Sequence, residues 1–267
     1  MGNSGVIPRH ERTYIGVTGF MSNEELETIS DKFYSDGPRF MAGVLASSKT
    51  LLGHANKWPR RYPKISDIAG IFGDNANAIK LVHYSTDSTS SLQMQMMTIR
   101  RRVGSVMNGF QLNIAWPPPA ALVAYRKCYP EDTIVLQVGR NALSLPIEGM
   151  ITADHRVDLI SAILPAYKGL VDHVLIDPSG GTGSPFDPQE VLVYLRGIKN
   201  LDLPMGLVVA GGLGPDSMDL LKPVHADFPR ISIDAEGRLR DENGDLALDR
   251  AIAYVRAAHN SFYAAIA

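Results

Sequence analysis

Asp177 closes the apolar run Val174-Leu175-Ile176 and is followed at once by Gly180, Gly181, Thr182 and Gly183. A carboxyl group at the end of a buried strand can donate or accept a proton, and it serves as an acid near neutral pH only where burial raises its proton affinity. The glycines leave the backbone free to reach conformations that side chains forbid. Beside an acid, such a segment reads as a loop that closes over substrate. A second pair, Gly211-Gly212, follows the apolar 207–210 and precedes Pro215, a residue suited to a first helical turn. Main-chain N–H groups at such a pair can approach a phosphate closely, and the helix start adds partial positive charge. An acid and a phosphate cradle together suit a small phosphorylated substrate.

Both motifs lie where an apolar run gives way to a helical pattern, and the same handover recurs along the chain. Strand-like runs fall at 14–20, 40–46, 79–84, 110–116, 133–138, 174–177, 207–210 and 231–233. Between them come helical signals. Ser22 with Glu25 has capping-box spacing for a helix to about residue 34, and Pro117-Pro118-Pro119 opens one through Cys128. Asp187-Pro188 starts another, and further helices are expected near 65–72, 91–106, 154–167, up to about 221, and over 246–263. Eight strand–helix pairs in 267 residues imply an α/β protein, a (β/α)8 TIM barrel forming one domain, with 1–12 as an N-terminal arm. Ligands of that fold sit at the C-terminal strand ends.

Composition narrows the chemistry. The chain is 45% hydrophobic with a formal net charge of −2, so no basic surface calls for nucleic acid, and the triplet Arg100-Arg101-Arg102 reads as a solvated helix end. The single cysteine, Cys128, excludes an internal disulfide framework and fits a reducing, cytoplasmic setting. No run approaches the roughly 18 apolar residues of a membrane span. No His, Cys, Asp and Glu spacing indicates a metal, and no cofactor is expected. His83 reads as a packed strand histidine. Self-association into a homo-oligomer is left open.

The motifs resemble those of the phosphoribosylanthranilate isomerase family, enzymes of an Amadori rearrangement. That family's sixth strand carries Asp, a spacer and Gly-Gly-Thr/Ser-Gly-x-x-Phe-Asp-Trp; here Asp177 is followed by Gly180-Gly181-Thr182-Gly183-Ser184-Pro185-Phe186-Asp187, with Pro188 in place of Trp. Its seventh-strand Ala-Gly-Gly-Leu-x-Pro-x-Asn is matched by Ala210 to Ser217, and Gln111-Leu112 stands where its fourth strand reads Gln-Leu-His-Gly, with Asn113 for His. The resemblance implies that Asp177 is the general acid that opens the sugar ring and that Thr18 occupies the position of the family's basic cysteine. It further implies phosphate or substrate contacts from Gly211, Gly212, Asp234, Ala235, Asn113, Lys49 and the glycine loop. A hydroxyl is a poor base near pH 7. In strand eight, Asp234-Ala235-Glu236 replaces the family's Ser-Gly and would repel phosphate unless turned away or offset by Arg238 or Arg240.

Three readings follow. The protein is a divergent barrel enzyme acting on a phosphorylated sugar derivative, or a catalytically inactive relative that binds a metabolite or serves as a scaffold. In the third, it is an isomerase whose base is an aspartate brought in from another loop.

Overall fold

The computed structural model describes residues 7–33, 37–144, 153–179 and 184–266. Strands β1 (Tyr14–Thr18), β2 (Arg39–Ser47), β3 (Ala78–Ser85), β4 (Gly109–Leu112), β5 (Thr133–Gly139), β6 (His173–Asp177), β7 (Gly206–Val209) and β8 (Ser232–Ala235) form a closed parallel barrel in chain order, β8 pairing back onto β1. Helices α1 (Asn23–Ser30), α2 (Ile68–Phe72), α3 (Leu92–Val103), α4 (Pro119–Cys128), α5 (Ala153–Ile163), α6 (Pro188–Lys199), α7 (Lys222–Asp227) and α8 (Leu248–Ile266) alternate with the strands. The expected (β/α)8 architecture is therefore the observed one. No helix among the described residues is long and apolar enough to cross a membrane.

Local chemistry sets the helix starts. The Ser22 hydroxyl accepts from the Glu25 N–H while the Glu25 carboxylate accepts from the Ser22 N–H, a closed capping box at α1. Asp187 Oδ1 accepts from the N–H groups of Gln189 and Glu190 and opens α6. Several expected elements differ. β4 ends at Leu112 because its pairing with β3 stops at Tyr84, and Trp116, expected inside the strand, has φ 46° and turns the chain toward the prolines. The helix expected after β7 is a 3-10 segment, Pro215–Leu221, that runs into α7. In the part of the arm that is described, Arg9 pairs with Asp172 and Glu131, at 3.0 Å each, and docks the chain against the start of β6. Nor is the arginine triplet wholly solvated, since Arg100 pairs with buried Asp132 at 2.9 Å.

Alternation along the strands separates two cores. Ile15, Val17, Val82, Leu136, Ile176 and Ile233 pack outward against the helices. Tyr14, Met41, Ile79, Leu81, Val135, Leu175, Val208 and Ala210 form a second apolar cluster inside the barrel. One step further along the same inward rows, two residues beyond Leu81, Val135 and Leu175, stand buried polar groups: His83, Gln137 and Asp177. The barrel is thus plugged by hydrocarbon below and lined by polar groups at its C-terminal end.

Close strand approach at β4 depends on one glycine. Gly109 has φ 148°, and a Cβ there would lie 1.9 Å from the Thr133 carbonyl oxygen, a backbone atom that cannot swing aside. Gly109→Ala is expected to destabilise the protein by on the order of 3 kcal/mol, read by urea denaturation; a change below 1 kcal/mol would show that β4 and β5 can separate at that point.

Candidate active site

A cavity of ≈ 680 Å³ opens at the C-terminal ends of the strands. Its floor is made by Gln111, Gln137, Asp177, Asp234 and His83, and its rim carries Arg61, Arg140 and Arg238. A smaller cavity of ≈ 200 Å³ adjoins it and shares Arg140, Ser179 and Gly211. Arg61 is placed by the segment between β2 and α2. The neighbouring Arg60 donates through Nε to Asp245 Oδ1 at 2.7 Å, and the Arg61 guanidinium lies 4.8 Å above the Trp58 ring.

The floor is one hydrogen-bonded chain. Ser179 Oγ donates to Asp177 Oδ1 at 2.6 Å, and Gln137 Nε2 donates to Asp177 Oδ2 at 3.2 Å. Gln111 Nε2 donates to Gln137 Oε1 at 3.5 Å and, across the barrel from β4 to β8, to Asp234 Oδ2 at 3.1 Å. Thr18 Oγ1 completes it by donating to Asp234 Oδ1 at 3.2 Å. Two carboxylates, on β6 and β8, are therefore linked through two primary amides. Gly16 makes room for one of them, since a Cβ there would lie 2.6 Å from Asp234 Oδ1.

The electrostatics single out Asp234. Burial pushes its carboxyl up to about 7, and Glu236 and Asp177 add repulsion, against the hydrogen bonds from Gln111 and Thr18. Glu236 is itself held by Arg240, whose buried guanidinium donates to Glu236 Oε1 at 3.1 Å and to the Gly244 carbonyl at 2.9 Å. His83 is buried beside this cluster, and burial holds its proton affinity below the ordinary range, although Glu236, Asp177 and Gln137 oppose the shift. The imidazole is thereby neutral at pH 7.

Of the residues singled out from sequence, Asp177, Asn113, Gly211, Gly212, Asp234 and Ala235 line the cavity. Gly180, Gly181, Thr182 and Gly183 lie outside the described residues. Thr18 is not exposed to the cavity as a base would be; it is wholly buried and its hydroxyl is spent on Asp234. Asp234, expected among the phosphate contacts, is a buried carboxylate and is electrostatically unfit to hold an anion. Lys49 is exposed on a one-turn helix, Ser48–Leu51, away from the cavity lining. Cys128 is an exposed thiol.

Gly211 and Gly212 have φ 92° and 69°, and Cβ atoms there would fall 2.5 Å from Asp177 Oδ1 and 2.4 Å from the Ser184 carbonyl oxygen. The glycines are required by packing, Gly211 against the β6 end and Gly212 against the segment that leads into α6, whether or not a phosphate binds. His83, read as a packed histidine, is buried and also lines the cavity. Gln137, Arg61 and Arg140 were not anticipated. For Gln137 the signal was present as a lone polar residue two positions beyond inward-facing Val135, whereas the arginines reach the rim only through loop geometry.

No family model matches the chain, and no curated protein matches it. Solved structures do. Active domain 2 of a chitinase from Pyrococcus furiosus superposes with a TM-score of 0.60 at 11% identity, covering 96% of this chain and 97% of that one. Pyruvate carboxylase from Rhizobium etli gives 0.53 at 9% identity, covering 96% of this chain and 28% of that one. Ribulose-1,5-bisphosphate carboxylase/oxygenase from Pyrococcus horikoshii gives 0.51 at 13% identity, covering 96% and 64%. These likenesses place the chain in the class of (β/α)8 barrels. At such identities they establish the fold alone, and the chemistry has to be argued from the cavity.

A carboxyl group whose proton affinity is raised on folding lowers stability as pH rises. Below about pH 4 both states hold the proton; between pH 4 and 7 the unfolded chain releases it while the folded chain retains it, so folding weakens over that window and levels off above it. Asp234→Asn removes this penalty. The variant is expected to exceed the parent in stability at pH 8 by on the order of 3 kcal/mol, with the gap closing toward pH 4 in urea denaturation. A gap independent of pH would show that Asp234 ionises normally.

Proposed function

We propose that the protein is an enzyme that transfers protons on a small phosphorylated sugar derivative, in an aldose–ketose rearrangement of the Amadori type. The observation that carries this reading is the pair Asp177 and Asp234 facing one cavity, with Asp234 of β8 poised near neutrality beside Thr18, the position at the end of β1 where the resemblance to the phosphoribosylanthranilate isomerases calls for a base. Thr18 is then a positioning residue that orients the carboxylate doing the work the family gives to a thiol.

The chemistry follows from these places. Asp177, a buried carboxyl group in the place where the resemblance implies the acid, protonates the ring oxygen as the sugar opens, and it is reprotonated through solvent when Asp234 gives up its proton. Asp234 takes the proton from the carbon next to the resulting imine, leaving an enol that tautomerises to the ketose. A group with proton affinity near the working pH can accept a proton without an unfavourable charge state before or after the transfer. The Gln111–Gln137 link carries no proton itself and fixes the two carboxylates relative to each other. The reading puts the phosphate at the β7 and β8 ends, supported by Gly211, Gly212 and Ala235 in the wall and by the positive charge of Arg238.

A thermal-shift screen of phosphorylated sugars should raise the melting temperature, and turnover of the stabilising compounds should fall about 10²–10⁴-fold in both Asp177→Asn and Asp234→Asn. Turnover unchanged in either variant removes that residue from the mechanism. Stabilisation without turnover by the parent protein assigns the cavity to binding alone, and no stabilisation by any sugar phosphate defeats the reading.

A further inference from the structure

Two polar side chains on the cavity floor are left with unused hydrogen-bonding atoms. Gln111 is 1% exposed, and its amide is oriented by two acceptors, Asp234 Oδ2 and Gln137 Oε1, which both take Nε2. Its Oε1 therefore faces away from them, buried and with no hydrogen-bond partner. His83 is 7% exposed, and neither ring nitrogen has a partner in full hydrogen-bonding geometry. Gln137 is its nearest hydrogen-bonding neighbour and raises the ring's proton affinity through that weak contact, which engages at most one of the two nitrogens. Both side chains line the same cavity. Buried polar atoms without partners are costly, and where they line a cavity a molecule that enters it can complete them.

We infer that His83 and Gln111 form a hydroxyl-recognising subsite on the cavity floor, for an uncharged polyol segment of the ligand. The inference rests on the reading of this cavity as a sugar-phosphate site and specifies which part of the ligand goes deepest. A neutral imidazole offers one N–H and one lone pair, and Gln111 Oε1 offers only lone pairs. A hydroxyl both donates and accepts, so neighbouring hydroxyls satisfy all of these atoms. Phosphate dianions and carboxylates only accept. They would leave Gln111 Oε1 and the imidazole lone pair unmatched and would sit against Asp177 and Asp234. The floor thus rejects the anionic end of a ligand and sends it to the rim, where Arg61, Arg140 and Arg238 stand.

The test uses the full chain with ribitol, D-ribose 5-phosphate and inorganic phosphate as probes. Histidine-selective ¹⁵N NMR should show the His83 nitrogens moving with ribitol and with ribose 5-phosphate, and remaining still with inorganic phosphate. His83→Phe should weaken ribose 5-phosphate binding about tenfold while leaving inorganic phosphate affinity unchanged. The subsite is overturned if the His83 nitrogens ignore both polyol-bearing probes, or if His83→Phe binds ribose 5-phosphate as the parent does. The NMR arm needs no substitution and so does not depend on the variant folding. Movement of His83 with ribitol, alongside no binding of either phosphate, upholds the polyol floor and defeats the sugar-phosphate reading; binding of ribose 5-phosphate with His83 silent does the reverse.

Discussion

A carboxylate held inside the barrel is the constraint to which the C-terminal half of this interior answers. Removing Asp234 from water raises the energy of its charged form, and Glu236 and Asp177 nearby raise it further. The surroundings moderate that energy without cancelling it. Thr18 and Gln111 each donate one hydrogen bond, Arg240 balances Glu236, and the bare Gly16 on the neighbouring strand leaves the carboxylate its space. The outcome is a carboxyl group pushed up to about 7 by its surroundings. Full compensation would have made it an inert ion and complete isolation an inert acid.

The fold tolerates this because its interior is divided along the barrel axis. The apolar plug of Met41, Leu81, Val135, Leu175 and Val208 closes the barrel beneath the polar floor. Outside, a separate layer of Ile, Leu, Val and aromatic side chains joins strands to helices. Stability is supplied mainly by these two layers, which frees the strand ends and the loops after them to carry groups chosen for chemistry. Even the N-terminal segment contributes to the frame, through Arg9 on Asp172 at the opposite end of the barrel from the cavity.

The fold was legible because its signals are local and repeated. Period-two apolar runs, the Ser22–Glu25 capping box and Asp187-Pro188 each specify conformation within a few residues. Errors fell where a local pattern continues past the point at which a neighbour stops supporting it, as at Trp116, where the apolar run outlasts the β3 pairing. Asp177 was also legible, since a carboxylate at the end of a buried strand in a barrel faces the ligand end. The resemblance led to Thr18, which the structure buries and hydrogen-bonds to Asp234. Its hydroxyl marks the strand-one corner of the site, but the group with usable proton affinity there comes from β8.

The sequence by itself determined the strand–helix alternation, the barrel, and which residues fall on inward rows, because backbone conformation and side-chain alternation are properties of neighbouring residues. It could not determine how the inward side chains meet. Gln111 and Asp234 are 123 positions apart and touch only because closing eight strands into a ring sets β4 opposite β8. Burial, repulsion and hydrogen bonding then act together on Asp234 from β1, β4, β6 and the segment after β8. Proton affinity depends on that sum over space, so only the tertiary structure shows that the carboxyl group pushed up to about 7 is Asp234 on β8.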